Sequence, residues 1–138
     1  AGVRVIDDYA HHPTELRATL AAARSTGPDR IVLVVQPHRY SRTAVFGAEL
    51  GRAASAADLV IVTDVYGAGE RPVPGVSGHT VADAAAAAGA TVRYHPHLNE
   101  VVDALTEVVR AGDLVLTSGA GDVTQVGPGL VNRLEHHR

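Results

Sequence analysis

Ile31-Val32-Leu33-Val34-Val35 is an uninterrupted apolar run, mostly β-branched, closed on one side by Arg30 and on the other by Gln36-Pro37. A run that does not alternate suits a strand buried on both faces, and such strands belong to parallel sheets covered by helices on each side. Leu59-Val60-Ile61-Val62 and Leu114-Val115-Leu116 read the same way. Val3–Asp7 and Thr91–Tyr94 are less apolar and alternate, with Arg4 on an exposed side, so they are the candidate edge strands. The segments between these runs switch to a helical period. Pro13 suits a first helical turn, Leu16 and Leu20 share a face, and Gly27 ends the segment. Ser41 reads as the N-cap of a second helix that carries Phe46, Leu50 and Ala53 inward. Val81–Ala88 stops at Gly89; Leu98, Val101, Leu105 and Val108 mark a fourth helix, and Val126, Leu130 and Leu134 a fifth. Five strands alternating with five helices predict one domain over residues 1–138: α/β, doubly wound, with a mainly parallel five-stranded sheet. Asp64 to Thr80 breaks the rhythm. It is rich in Gly and Pro, and a loop of that length in a compact α/β domain is usually functional or mobile.

Composition narrows the chemistry. The 138 residues include no cysteine, which excludes disulfides, thiolate metal sites and cysteine nucleophiles. All 12 basic residues are arginine, so there is no P-loop lysine, Schiff-base lysine or lysine general base. A net charge of −3 with few aromatics does not suit a nucleic-acid surface. The apolar runs are too short to span a membrane, and no secretory leader is visible, so the expected location is cytoplasmic. Methionine is absent even at position 1, and the chain reads as a piece of something longer.

In open parallel sheets ligands bind outside the carboxyl ends of the strands. Those ends supply Asp7-Asp8-Tyr9-Ala10-His11-His12-Pro13, Gln36-Pro37-His38-Arg39-Tyr40-Ser41-Arg42, Asp64-Val65-Tyr66-Gly67, His95-Pro96-His97 and Ser118-Gly119-Ala120-Gly121-Asp122. Arg39 and Arg42 fall at the start of a helix, where the dipole disfavours cations by a few tenths to about 1 kcal/mol each. Two guanidiniums beside free amide N–H groups would make an anion site for a carboxylate or phosphate. They could equally lie flat in solvent or pair with Asp64 and Asp7, and spacing alone leaves both readings open. Asp7 and Asp8 are adjacent on a strand, so one of them faces a cleft. A carboxylate there could accept ribose hydroxyls, hold magnesium or cap the next helix. His11 and His12 could be ligands, acid–base groups or packing at the helix start. His95-Pro96-His97 lacks a second ligand pair, so no zinc site is expected. Gly119-Ala120-Gly121-Asp122 suits a tight turn better than a phosphate cradle, having no third glycine.

Asp7-Asp8-Tyr9-Ala10-His11-His12-Pro13-Thr14-Glu15 and Gln36-Pro37-His38-Arg39-Tyr40-Ser41-Arg42-Thr43 resemble the carboxyl-terminal domain of the Mur ligases. Within that family they are similar to the branch that adds L-alanine to UDP-N-acetylmuramic acid in peptidoglycan biosynthesis. Tyr66-Gly67-Ala68-Gly69-Glu70 with Pro72, Pro74 and Gly75 resembles that branch's long loop, and Gly119 to Asp122 its last turn. The resemblance implies a Rossmann-like domain at the end of a three-domain enzyme, behind a UDP-sugar domain and a central ATPase domain. It implies an amide made through an acyl phosphate, with ATP and magnesium serving the full-length enzyme and neither held tightly by this domain. By the same resemblance Asp8 and Tyr9 face the nucleotide, and His11, Arg39 and Arg42, with His12 beside them, hold L-alanine and the reacting phosphate. No residue of this domain is assigned a catalytic role, and no metal ligand is expected in it. The family's phosphate loop and carbamylated lysine belong to the central domain, so this chain alone is expected to be inactive.

Other readings remain. The recycling murein-peptide ligase shares the double histidine but differs around Gln36–Thr43. A phosphorylation receiver domain also has paired acids after its first strand and an aspartate after its third, as at Asp7, Asp8 and Asp64. It uses a lysine after the last strand, and here that position reads Ser118-Gly119-Ala120-Gly121. A stand-alone nucleotide-binding module is the third.

Overall fold

A computed structural model describes residues 2–10 and 12–136. The strands are β1 (Arg4–Asp8), β2 (Arg30–Val35), β3 (Leu59–Val62), β4 (Val92–Tyr94) and β5 (Asp113–Ser118). The helices are α1 (Pro13–Ser25), α2 (Tyr40–Ala54), α3 (Gly78–Ala87), α4 (Leu98–Val108) and α5 (Val126–His136), with a short 3-10 turn, Asp122–Gln125, leading into α5. The five strands form one parallel sheet in the order β1-β5-β2-β3-β4. The most apolar runs are therefore central, and the two less apolar ones are the edges, as their alternation requires.

Strand burial follows from what each face meets. Ile31, Leu33 and Val35 turn toward α1, α2 and α3, where Leu16, Leu20, Leu50 and Val81 cover them. Val32, Val34 and Val115 turn the other way, under Val101 and Leu105 of α4 and Val126 and Leu130 of α5. Each fully buried aliphatic side chain contributes about 1.5–3 kcal/mol, and alternate residues of β2 make this gain on both faces at once. The chain reaches α4's side of the sheet when it crosses from β4 at one edge back to β5 near the other. No helix among the described residues is long and apolar enough to cross a membrane.

Helix starts differ from the sequence reading in two places. α2 begins at Tyr40 with Arg39 as its N-cap, so Ser41 is inside the first turn rather than capping it. α3 begins at Gly78 behind Ser77, whose hydroxyl accepts from the His79 amide at 3.1 Å, three residues ahead of the expected Val81. The apolar period marks only where a helix touches the core, and both helices start outside it. Phe46 is half-buried and rests against the His12 ring, 5.0 Å between centroids.

Candidate functional site

Parallel register brings three loop systems to one end. Asp8 lies opposite Ser118 and Ser118 opposite Val35, so β1, β5 and β2 finish in one row. Main-chain bonds continue the row outward: the Gly119 amide donates to Asp8 O at 3.1 Å and the Gln36 amide to Ser118 O at 2.9 Å. The tails of β2 and β3 stay paired beyond the strands, through the Tyr66 amide on Pro37 O and the Arg39 amide on Tyr66 O, both 2.8 Å. Arg39 and Asp8 therefore stand at the same end of the sheet, as the rim reading requires.

Asp7 and Asp8 diverge as strand geometry dictates. Asp7 accepts from the Thr117 hydroxyl at 2.6 Å. Asp8 accepts from the Thr19 hydroxyl of α1 at 2.6 Å and from the Ala10 amide at 3.1 Å. These contacts fix the Asp8 carboxyl at the mouth of the loop. Tyr9, next in sequence, is exposed (68%). His12 has a structural occupation: its Nδ1 accepts from the Thr14 amide at 3.2 Å, while its own amide donates to Glu15 Oε1. That reciprocal pair caps α1. His11 lies outside the described residues.

Arg39 and Arg42 form no ion pair among the described residues, where Arg24–Asp58, Arg30–Asp113 and Arg133–Asp103 are the salt bridges. Asp64 and Asp7, the acids that could have neutralised them, are committed elsewhere. Asp64 Oδ1 accepts from the Val65 and Gly78 amides at 2.8 and 3.3 Å. The pairing alternative is thus not realised. One feature of the expected anion site differs, however: the Ser41 and Tyr40 amides at the start of α2 are taken by Glu70. Glu70, from the long loop, sets Oε1 3.0 Å from the Ser41 amide nitrogen and Oε2 2.6 Å from the Ser41 hydroxyl. The Ser41 hydroxyl and amide, with the Tyr40 amide and the Arg39 charge, hold the Glu70 carboxyl below the usual range.

The last turn is a packing device. Gln36, 5% exposed, donates to Asp122 Oδ1 at 2.6 Å and accepts from the Val123 amide at 3.2 Å. A Cβ on Gly121 would lie 2.5 Å from the Tyr66 ring, so only glycine lets this turn close over Gln36 and Tyr66. The Gly119 and Val123 amides at its two ends bond within the fold, in line with the tight-turn reading. Sequence reasoning gave Gln36 and Glu70 no role. The Glu70 signal was its place beside two glycines in the long loop, which does not reveal that the loop folds back onto α2.

Two clefts lie near this rim and the β1 edge. An apolar one of about 440 Å³ runs between Val5 and α5, and a polar one of about 510 Å³ lies among Gln36, Asp64, Tyr66, Asn99 and Asp122. Arg39 and Arg42 line neither of them; they form a ledge at the start of α2, Arg39 exposed and Arg42 half-buried. No cluster of three or more histidine, aspartate or glutamate side chains that could hold a metal occurs among the described residues.

Residues 1–121 match the family described as Mur ligase, glutamate ligase domain. The UDP-N-acetylmuramate–L-alanine ligase of Cutibacterium acnes is 58% identical over 98% of this chain. This chain covers 29% of that protein's length, so it corresponds to less than a third of such a relative. The solved UDP-N-acetylmuramate–alanine ligase of Thermotoga maritima superposes with a TM-score of 0.76 at 28% identity, over 99% of this chain and 27% of that one. A separately solved domain from Haemophilus ducreyi, ascribed to a ligase of UDP-N-acetylmuramate and a diaminopimelate peptide, gives a TM-score of 0.70 at 25% identity. The match covers 96% of this chain and 92% of that one. By its matched length and its sheet, the chain belongs to the Mur ligase family, as its glutamate ligase domain.

Proposed function

We propose that this domain is the carboxyl-terminal part of a three-domain, ATP-dependent ligase that joins L-alanine to UDP-N-acetylmuramic acid. The observation that carries the reading is the ledge at the start of α2, where exposed Arg39 and half-buried Arg42 stand without an ion pair among the described residues. L-Alanine offers a protein a carboxylate, an amine and one methyl group. A guanidinium held in a planar fork recognises the carboxylate and leaves the amine free to attack. In the reaction, the lactyl carboxylate takes the terminal phosphoryl group of ATP and ADP leaves. The alanine nitrogen then attacks the acyl carbon, phosphate departs and a proton is lost from nitrogen. Arg39 and Arg42 would hold the carboxylate and the departing phosphate, a role the sequence resemblance extends to His11, while His12 serves by fixing the start of α1. Tyr9 offers an exposed ring for a nucleoside, and Asp8, pinned by Thr19, an acceptor at the same mouth. We assign the metal and the phosphate loop to the central domain. An open ledge suits one wall of a cleft whose other wall is that domain. The 58% identity to an alanine-adding ligase favours this branch over the peptide-recycling one.

Steady-state kinetics of the full-length ligase, with alanine varied, test the assignment. Replacing either arginine by alanine is expected to cost about 1.5–3 kcal/mol, the range for hydrogen bonds to charged groups. That corresponds to a loss of about 10- to 150-fold in kcat/KM for alanine. Lysine should recover only part, because it keeps the charge and loses the fork. UDP-sugar kinetics should stay near wild type. Wild-type alanine kinetics in both alanine variants would remove the arginines from the site.

A further inference from the structure

The geometry points to Glu70 as the positioning residue for Arg39 and Arg42: its carboxylate docks on the first turn of α2 and fixes the backbone that presents both guanidiniums. This rests on the reading of the two arginines given above. The first turn of α2 contains no acidic residue of its own, although Arg39 and Arg42 place two cations at the positive end of the helix dipole. Glu70 supplies the missing negative charge from 29 residues away, with one oxygen on the Ser41 amide and the other on its hydroxyl.

A second grip from the same loop acts on the preceding residue. The Arg39 amide donates to Tyr66 O at 2.8 Å, while Arg39 O accepts from the Thr43 amide and hydroxyl at 3.0 and 2.8 Å. Arg39 is thereby held at φ 67°, ψ 138°, a conformation that costs a residue with a side chain energy and persists only when its surroundings over-determine it. Tyr66 and Glu70 together over-determine it. The loop is also braced internally: the Glu70 amide donates to Gly67 O at 3.0 Å, and Gly67 lies against the Tyr40 ring. Glu70 is therefore a built-in part of the turn rather than a stand-in that a ligand evicts. A substrate carboxylate would meet the guanidiniums, with the Ser41 and Tyr40 amides already taken.

The test compares Glu70→Ala and Glu70→Gln with Arg39→Ala in the full-length ligase, and follows amide hydrogen exchange at Ser41 in the same proteins. Glu70→Ala is expected to raise the alanine KM about 3- to 30-fold, the size of a lost helix cap, with kcat and the UDP-sugar KM within about 2-fold. Glu70→Gln keeps one acceptor and should fall between. Ser41 exchange should quicken in Glu70→Ala. A lower kcat with an unchanged alanine KM would mean only that less enzyme is folded, and would overturn the positioning role. Unchanged Ser41 exchange would overturn the contact itself. If Arg39→Ala raises the alanine KM and Glu70→Ala does not, the positioning role fails while the function stands. If neither arginine variant affects alanine, the functional reading fails and Glu70's role falls with it.

Discussion

Arg30 and Asp113 are register partners on neighbouring strands, and they pair through two contacts, Nη2–Oδ2 at 2.7 Å and Nε–Oδ1 at 3.1 Å. Asp113 is 1% exposed and takes a third bond from the Arg110 amide, while Arg30 also donates to Val108 O. The pair ties β2, β5 and the end of α4 together at the end of the sheet opposite the ledge. Removing one partner strands the other's charge, so Asp113→Ala should cost about 3 kcal/mol in urea unfolding of the chain. Replacing both residues by apolar ones of similar size should recover most of that loss. A single variant costing under about 1 kcal/mol would make the pair a bystander.

Acid should act through the same carboxylate. Burial alone would raise the Asp113 pKa, but the Arg30 hydrogen bonds, the Arg110 amide and the two arginine charges outweigh it and hold it below the ordinary value. Asp58 follows the same pattern, with burial opposed by the Ile31 amide and by Arg24. A depressed folded pKa contributes stability above the unfolded value of about 3.9 that is lost as pH falls through the folded one. Unfolding free energy should therefore drop steeply below about pH 4. Asp113→Asn, although less stable at neutral pH, should lose less between pH 4 and 2. Equal slopes in the two proteins would contradict the assignment.

Alkali acts through Tyr94, whose phenol is pushed up to about 12 by burial, then by the charge of Asp64 and the hydrogen bond to it. A raised folded pKa favours the neutral phenol, so this contribution is whole below about pH 10 and lost as pH rises through about 12. Tyr94→Phe should unfold with a flatter pH dependence between those values, measured by urea titration. An unchanged slope would place the alkaline sensitivity elsewhere.

Helix packing over β3 depends on Gly51, where an added Cβ would lie 2.4 Å from Val81 O and 2.8 Å from the Ala85 nitrogen. Both neighbours are backbone, so α2 and α3 would have to separate. Gly51→Ala should cost about 1–3 kcal/mol despite its better helix propensity, read as a lower midpoint in thermal unfolding. A variant as stable as wild type would show that the two helices part freely.

How far the sequence reaches depends on the kind of information each feature carries. Strand runs such as Ile31–Val35 state their own burial, and the weaker alternation of the first and fourth strands placed them at the edges. Helix bodies were legible through Leu16/Leu20 and Val101/Leu105, which touch the core. The starts of α2 and α3 were not, because Tyr40 and Gly78 are set by partners outside the apolar period: the tail of β3 for one, Ser77 for the other. The rim was legible because parallel strands end together. What each rim residue does was only partly so. Asp7 and Asp8 diverge by strand geometry alone, and His12 caps α1 through neighbours two and three residues on, whereas Glu70 on Ser41 depends on how the long loop folds back.

Arg39 offers a separate test of strain kept for a purpose. Its φ of 67° with ψ of 138° falls where only glycine is at ease. Arg39→Ala keeps the strain and removes the guanidinium, whereas Arg39→Gly removes both. The glycine variant should therefore be more stable than the alanine variant by about 1–2 kcal/mol, the scale of one strained backbone residue. Under the proposed function both variants lose alanine affinity alike. Part of Arg39→Gly's gain over wild type should survive glycine's extra unfolded-state entropy, which opposes it. Urea midpoints of the three chains measure the first difference, and alanine kinetics of the full-length proteins measure the second. A glycine variant less stable than the alanine variant, as unfolded-state entropy alone would make it, would show that Arg39 carries no strain, and that the grip of Tyr66 on its main chain holds a relaxed turn.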